Sequence, residues 1–131
     1  YRMEQPQYII DTNAVIDYLG KKMPETGMAF MNSVIDQVPN ISVVTKIEVL
    51  GFNAPEEHYQ LLTNFMNDAN VIDLSNDIVE ACINLRKNHK IKLPDAIIAA
   101  TAIVYDLTLI SRNSKDFKNI EGLMVIDPYA M

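Results

Sequence analysis

Four acidic residues each follow an apolar segment or begin a helix-like one. They are Asp11 in YIIDTN, Glu48 in ISVVTKIEVLG, Asp95 in KLPDAIIAATA and Asp116 in LTLISRNSKDF. Carboxylates that converge without cationic partners repel one another, so they either take up protons or share divalent cations. The sequence contains no Gly-rich phosphate loop, nucleophile motif or His/Cys ligand cluster beside them. We therefore interpret the four acids as a candidate metal site.

Carboxylate oxygens are ligands that suit Mg²⁺ or Mn²⁺. One or two such ions would activate water, orient a phosphate group and offset charge on the leaving oxygen, and two ions about 3.5–4 Å apart would act together. A site of this kind needs no covalent nucleophile. The acids therefore predict hydrolysis by activated water.

Each acid also has an ordinary structural explanation. Asp95 could favour a helix N-terminus through the helix dipole, and Glu48 could complete a capping box with Thr45. Asp11 could start a turn or cap the next helix, and Asp116 could form a local Asx turn. For a single acid these explanations are as good as the functional one. The conjunction of all four at one predicted edge favours a site.

Short apolar runs alternate with helix-like segments along the chain. Strands are predicted at 8–10, 41–44, 71–73, 108–110 and 124–126. Helices are predicted over 26–38, after Pro55, after a cap at Ser75, and from Pro94 through a nearly all-apolar stretch. This alternation predicts an α/β fold, in which a central, mainly parallel sheet of about five strands lies between two helical layers.

Ligand sites of open α/β sheets lie at the carboxyl ends of the strands, near a switch in strand order. Asp11 closes the first predicted strand, and Glu48 and Asp116 follow the second and the fourth. The helix that begins near Asp95 can cross the same edge. We therefore expect one rim to collect all four carboxylates. Other acids lie on amphipathic helices or their connections and are expected to face solvent: Glu56, Glu57, Asp68 and Asp77.

Composition limits the class of protein. With 131 residues, 49% of them hydrophobic, the chain has the size of one globular domain, which we place at 3–131. Tyr1 and Arg2 precede Met3 and are left out of that domain. Cys82 is the only cysteine, so no intramolecular disulfide forms, and no apolar stretch approaches the roughly 20 residues that a bilayer requires. A cytoplasmic protein without membrane segments is expected.

The net charge of −6 is unusual for a nucleic-acid binder, which normally has a basic surface. Bound divalent ions would offset part of this charge. Basic residues are also clustered, and Arg112 and Lys115 lie beside Asp116. We predict that these two side chains contact substrate phosphates, although solvated loop positions explain them equally well.

The chain resembles the PIN-domain family, and it is most similar to the single-domain VapC-type toxins of bacterial toxin–antitoxin pairs. The resemblance runs from about residue 8 to residue 129. It depends on four segments in this order: IIDTNAVIDYL, TKIEVLGF, KLPDAIIAATA and LTLISRNSKDFKNIEGLMVI.

This resemblance implies a metal-dependent endoribonuclease. Asp11, Glu48, Asp95 and Asp116 would be its acidic, metal-binding set, with Asn13 and Ser111 as supporting polar residues. The family also implies RNA as the substrate, a small antitoxin as a partner, and a homodimer.

Two other functions remain open at this point. One is a phosphoaspartyl receiver or phosphohydrolase, which is also an α/β protein with Mg²⁺ beside an Asp at a strand end. The DTN segment lacks the second Asp of the usual DxD arrangement, and no Lys ends the fifth predicted strand. The other is a non-catalytic PIN-like binding module, against which the presence of all four acids argues.

Overall fold

The structure is a computed structural model that describes residues 7–131, so the predicted domain start at Met3 lies outside the described residues. The strands are β1 (Tyr8–Ile10), β2 (Asn40–Ser42), β3 (Asn70–Ile72), β4 (Thr108–Ile110) and β5 (Val125–Ile126). The helices are α1 (Thr12–Leu19), α2 (Glu25–Asp36), α3 (Val43–Leu50), α4 (Glu56–Asp68), α5 (Asn76–Asn88), α6 (Leu93–Tyr105) and α7 (Ser114–Phe117). A 3₁₀ turn, η1 (Pro128–Ala130), follows β5.

The five strands form one sheet in the order β3-β2-β1-β4-β5, and every pair is parallel. β1 is central, with Ile9 in register with Leu109 of β4 and with Asn40 of β2. The chain moves outward from β1 to β3 and then returns to place β4 on the other side of β1. The switch in strand order therefore lies between β1 and β4, where such sheets open a crevice.

Alternate residues of the central strands enter two separate cores. Ile9 and Leu109 pack with α5 and α6, whereas Ile10 and Ile110 pack on the opposite face with residues of α1 to α4. This alternation follows from the two-residue repeat of a strand. Both faces of the sheet are covered, so the predicted three-layer α/β/α fold with a five-stranded parallel sheet is confirmed.

The second strand is shorter than its sequence predicts. Val43 and Val44 are β-branched, but they begin α3, because the Ser42 side chain accepts a hydrogen bond from the Val44 N–H and caps the helix. The predicted capping box of Thr45 with Glu48 is therefore wrong, since the helix starts two residues before Thr45. The predicted cap at Ser75 is confirmed by its hydrogen bond from the Ile78 N–H.

Two other helices differ little from prediction. α2 ends at Asp36 rather than at residue 38, because Val38 has a positive φ of 56° that a right-handed helix does not allow. α6 has Pro94 in its first turn and buries small residues such as Ala99 and Ala100 against the sheet. Within residues 7–131, no helix is both long and apolar enough to span a membrane.

Candidate active site at the carboxyl edge of the sheet

Asp11 lies at the switch point of the sheet. It follows β1 directly and is the N-cap of α1, with its Oδ1 accepting the Thr12 N–H at 2.7 Å. The Asp11 N–H donates to Ile110 O at 3.0 Å, which joins the end of β1 to the end of β4. The residue is only 4% exposed. The backbone of this buried residue is therefore fixed between the ends of two neighbouring strands.

Ser111 orients the other oxygen of that carboxylate. It follows β4, is fully buried, and its hydroxyl donates to Asp11 Oδ2 at 2.8 Å. The Ser111 Oγ also accepts a hydrogen bond from the Asn113 N–H at 3.0 Å. Ser111, one of the two predicted supporting residues, therefore contacts one of the four predicted site acids. Asn13, the other predicted support, is exposed in the first turn of α1.

Glu48 reaches the same edge from α3. The Thr12 hydroxyl donates to Glu48 Oε1 at 2.7 Å, and Thr12 Oγ1 lies 3.1 Å from Thr45 Oγ1. A hydroxyl has one hydrogen and an ionised carboxylate only accepts, so the hydrogen between the two threonines comes from Thr45. Sequence reasoning did not single out Thr12 and considered Thr45 only as a helix cap. The signal was present, because Thr12 follows Asp11 directly and Thr45 precedes Glu48 by about one helical turn.

Asp95 faces the other three acids from the first turn of α6. Burial raises the pKa of its carboxyl, and the charges of Asp11, Asp116 and Glu48 raise it further. Burial also raises the pKa of Asp11, and Glu48 adds to this rise, while hydrogen bonds from Ser111 and Thr12 partly offset it. Asp116 is exposed in α7, after β4. Asp95 therefore lies within electrostatic range of the other three predicted site acids.

The two predicted phosphate contacts differ in their surroundings. Lys115 is exposed on α7. Arg112 lies with its Nη1 3.7 Å from Asp17 Oδ2 and with its guanidinium carbon 5.3 Å from the centre of the Tyr129 ring. Sequence reasoning did not single out Asp17 or Tyr129, which lie 112 residues apart in the chain.

The donor set fits a hard divalent cation that keeps part of its water shell. All the converging donors are oxygens, which Mg²⁺ and Mn²⁺ prefer. Within residues 7–131, no three Asp, Glu, His or Cys side chains lie close enough to enclose an ion together. Charges raise a neighbour's pKa over distances longer than the ~2.0–2.1 Å between Mg²⁺ and a ligand oxygen. The acids can therefore raise the pKa of Asp95 without lying close enough to enclose an ion. The rim is an open one, of the kind at which Mg²⁺ binds through one or two carboxylates and several waters.

Comparison with protein families identifies the family to which this fold belongs. The family model described as PIN domain matches residues 8–123. The chain belongs to the PIN domain family. The match includes Asp11, Glu48, Asp95 and Asp116. A comparison with curated proteins found no match.

Several solved structures are similar to this PIN domain over nearly its whole length. A chain in a toxin–antitoxin complex from Klebsiella pneumoniae is 36% identical with a TM-score of 0.72, over 94% of this chain and 98% of that one. A chain of VapBC-1 from nontypeable Haemophilus influenzae is 25% identical with a TM-score of 0.71, over 92% and 97%. A chain of DNA-bound VapBC from Salmonella typhimurium shares the fold, with 22% identity, a TM-score of 0.79, and coverage of 95% and 99%.

Proposed function

We propose that this PIN domain is a Mg²⁺- or Mn²⁺-dependent endoribonuclease and the toxin of a toxin–antitoxin pair. The observation that carries the proposal is that Asp95 lies within electrostatic range of Asp11, Glu48 and Asp116, with Asp11 at the switch point of the sheet. Membership of the PIN domain family and 36% identity to a chain of a toxin–antitoxin complex support it. RNA as the substrate comes from the family resemblance.

The residues of the chain have separable roles in this proposal. Asp11, Glu48, Asp95 and Asp116 would hold the cation. When bound, Mg²⁺ or Mn²⁺ supplies a Lewis acid that lowers the pKa of water and offsets charge on the phosphate oxygens.

The polar neighbours set the direction of two of these carboxylates. The Ser111 hydroxyl and the Thr12 N–H each donate one hydrogen bond to the Asp11 carboxylate. Both carboxylate oxygens keep a free lone pair, since a carboxylate has about four acceptor positions. The Thr12 hydroxyl holds Glu48 in the same way. Both carboxylates are thereby oriented before a cation or substrate arrives, and this lowers the cost of assembling the site.

A partner and a location complete the proposal. We expect a small antitoxin protein to bind this chain, because the similar chain from Klebsiella pneumoniae belongs to a toxin–antitoxin complex. We also expect a homodimer, which the family resemblance implies, and action in the cytoplasm. The single buried thiol, Cys82, is compatible with a reducing compartment.

The receiver-like alternative is disfavoured by the strand order. Flavodoxin-like receivers have the order 2-1-3-4-5, with the ligand at the switch between the first and third strands. This chain has the order 3-2-1-4-5, so its switch lies between the first and fourth strands. The non-catalytic binding module remains as the second candidate, and it predicts a folded protein that cleaves nothing.

A cleavage assay on total cellular RNA tests the proposal. The parent should cleave RNA in Mg²⁺ or Mn²⁺ and stop when EDTA is added. Asp95→Asn should lose at least about a hundredfold in rate, because it removes one member of the cation-binding set. Asp68→Asn is the matched control: it is exposed at the end of α4, just before the amino end of β3 and thus opposite the candidate site. No cleavage by the parent, or full cleavage by Asp95→Asn, would refute the proposal.

A further inference from the structure

Three segments of the chain meet at one cluster, which we call the Arg112 clamp: Asp17 of α1, Arg112 after β4, and Tyr129 of η1. The Tyr129 hydroxyl donates to Asp17 Oδ2. Arg112 Nη1 lies 3.7 Å from that same oxygen, and the guanidinium lies over the Tyr129 ring. The guanidinium cation thus contacts both the face of the Tyr129 ring and the Asp17 carboxylate.

The part of the clamp contributed by η1 is fixed to the rest of the fold. The Thr26 hydroxyl donates to Met131 O at 2.6 Å, and Asp127 Oδ1 accepts the Tyr129 N–H at 2.9 Å. Gly27 of α2 lies so close that an added Cβ would be 2.0 Å from Pro128 O. Tyr129 is therefore presented by a segment that packs tightly on α2.

Tyr129 also keeps its proton through neutral pH. Burial raises the pKa of the phenol, and its hydrogen bond to Asp17 raises it further. The hydroxyl therefore acts as a donor to Asp17 under ordinary conditions.

The clamp lies beside the candidate site without belonging to it. Arg112 is the next residue after Ser111, which donates to Asp11. Asp17 is six residues after Asp11, about 9 Å along the axis of α1. Asp17 and Tyr129 give Arg112 partners outside the set of four acids.

We propose that Asp17 and Tyr129 are positioning residues that hold Arg112 to receive an RNA phosphate next to the one being cleaved. This inference rests on the proposed ribonuclease function. Arg112 is 64% exposed and has five N–H donors, so most of them remain available for a phosphate in the paired geometry that guanidinium favours. Holding a long side chain in place before binding reduces the rotamer entropy that binding costs.

A double-mutant cycle tests the clamp. The variants are Arg112→Ala, Tyr129→Ala and the two combined, and the probe is a labelled pool of mixed-sequence single-stranded RNA. Each single variant should raise KM by about tenfold with kcat nearly unchanged, the size of one charge-assisted contact. The double variant should be no worse than Arg112→Ala, because Tyr129 acts only through Arg112. If the increases in KM of the two single variants multiply in the double variant, the inference is overturned.

A second variant separates positioning from folding. Tyr129→Phe keeps the ring but removes the bond to Asp17, so it should raise KM less than Tyr129→Ala does. If Tyr129→Ala fails to fold, Tyr129→Phe takes its place in the cycle. A purely structural role would lower the melting temperature and leave KM at the parent value, which would overturn the inference.

The same cycle is measured as Kd for the RNA pool in an Asp95→Asn background with Mg²⁺, where cleavage is not needed. If the substitutions at Arg112 and Tyr129 are coupled in Kd but the parent protein does not cleave the RNA pool, the ribonuclease proposal is refuted and the clamp is supported. Cleavage without coupling would refute the clamp alone. A parent that neither binds nor cleaves the pool would overturn both.

Discussion

Asp11 combines a structural role with a candidate functional one. It caps α1, as the ordinary explanation of its position predicts, and it is also the most buried of the four acids. Both of its oxygens accept hydrogen bonds, from the Thr12 N–H and the Ser111 hydroxyl. The two roles are compatible because a carboxylate accepts more bonds than these two. A cap and a cation ligand are therefore not alternatives at this residue.

Removing one carboxylate should stabilise the metal-free protein at neutral pH. The pKa of Asp95 is raised in the folded state by burial and by neighbouring acids, so its ionised form costs stability. The contribution of Asp95 to the free energy of unfolding is therefore greatest while its carboxyl is protonated. It falls as pH rises from the ordinary pKa of 3.8 through the raised pKa of the folded state. Asn has no such cost. In EDTA, urea unfolding at pH 7 should show Asp95→Asn to be as stable as the parent or more stable.

The pH dependence provides the control for this prediction. The advantage of Asp95→Asn should shrink as pH is lowered through the folded pKa, because the parent carboxyl then becomes neutral too. Asp68→Asn removes the same charge from an exposed position and should follow the parent curve. An Asp95→Asn variant that is less stable than the parent at pH 7 would contradict the like-charge argument.

At the scale of elements, the sequence predicts strands and helices where local signals agree. β1 and β4 are found at their predicted residues, 8–10 and 108–110. In both, a short apolar run indicates a buried strand and the polar residue after it marks the same strand end. The 41–44 prediction extended too far because β-branched residues carry only a context-dependent preference, which the cap at Ser42 outweighs.

Contacts between distant elements could not be predicted in the same way. The Thr12 bond to Glu48 joins residues 36 apart, and the Tyr129 bond to Asp17 joins residues 112 apart. Strand ends predict which edge a residue reaches, but not which side chains meet there. The edge that gathers the acids follows from strand order, whereas the hydrogen bonds that orient them need coordinates.

The packing of η1 on α2 gives a prediction at this scale. Gly27→Ala would place a methyl group 2.0 Å from Pro128 O, and a backbone atom cannot move aside cheaply. We expect a loss of about 1–3 kcal/mol in the free energy of unfolding, as for other overpacked sites. Urea denaturation measures it.

Ser33→Ala on the same helix is the control for that change. Ser33 is exposed and its hydroxyl donates only to Phe30 O of its own helix, so stability should change by less than about 0.5 kcal/mol. Equal effects of the two variants, or a stabilising Gly27→Ala, would show that η1 does not pack on α2 in this way.

At the scale of the whole molecule, the parallel sheet explains how acidic residues from distant parts of the chain can reach one edge. The net charge is −6, yet the four site acids come from segments spread over residues 11–116. Parallel strands all end at one edge, so the helices α1, α3 and α7 that follow β1, β2 and β4 begin near that edge, and α6, which leads into the opposite end of β4, carries Asp95 in its first turn. The repulsion among these acids is a cost that bound cations would remove.

That cost predicts that divalent cations stabilise the folded protein. An ion that binds only the folded state at a hundred times its Kd adds about 2.7 kcal/mol. For a chain of 131 residues this corresponds to a rise on the order of 10 °C in melting temperature. Thermal melts of the parent with Mg²⁺ or Mn²⁺ should show the rise, whereas KCl of equal ionic strength should give much less. Asp95→Asn should rise less than Asp68→Asn, because only the former lacks a carboxylate at the rim. Equal rises in these two variants would mean that the cations act on the overall charge rather than at the gathered carboxylates.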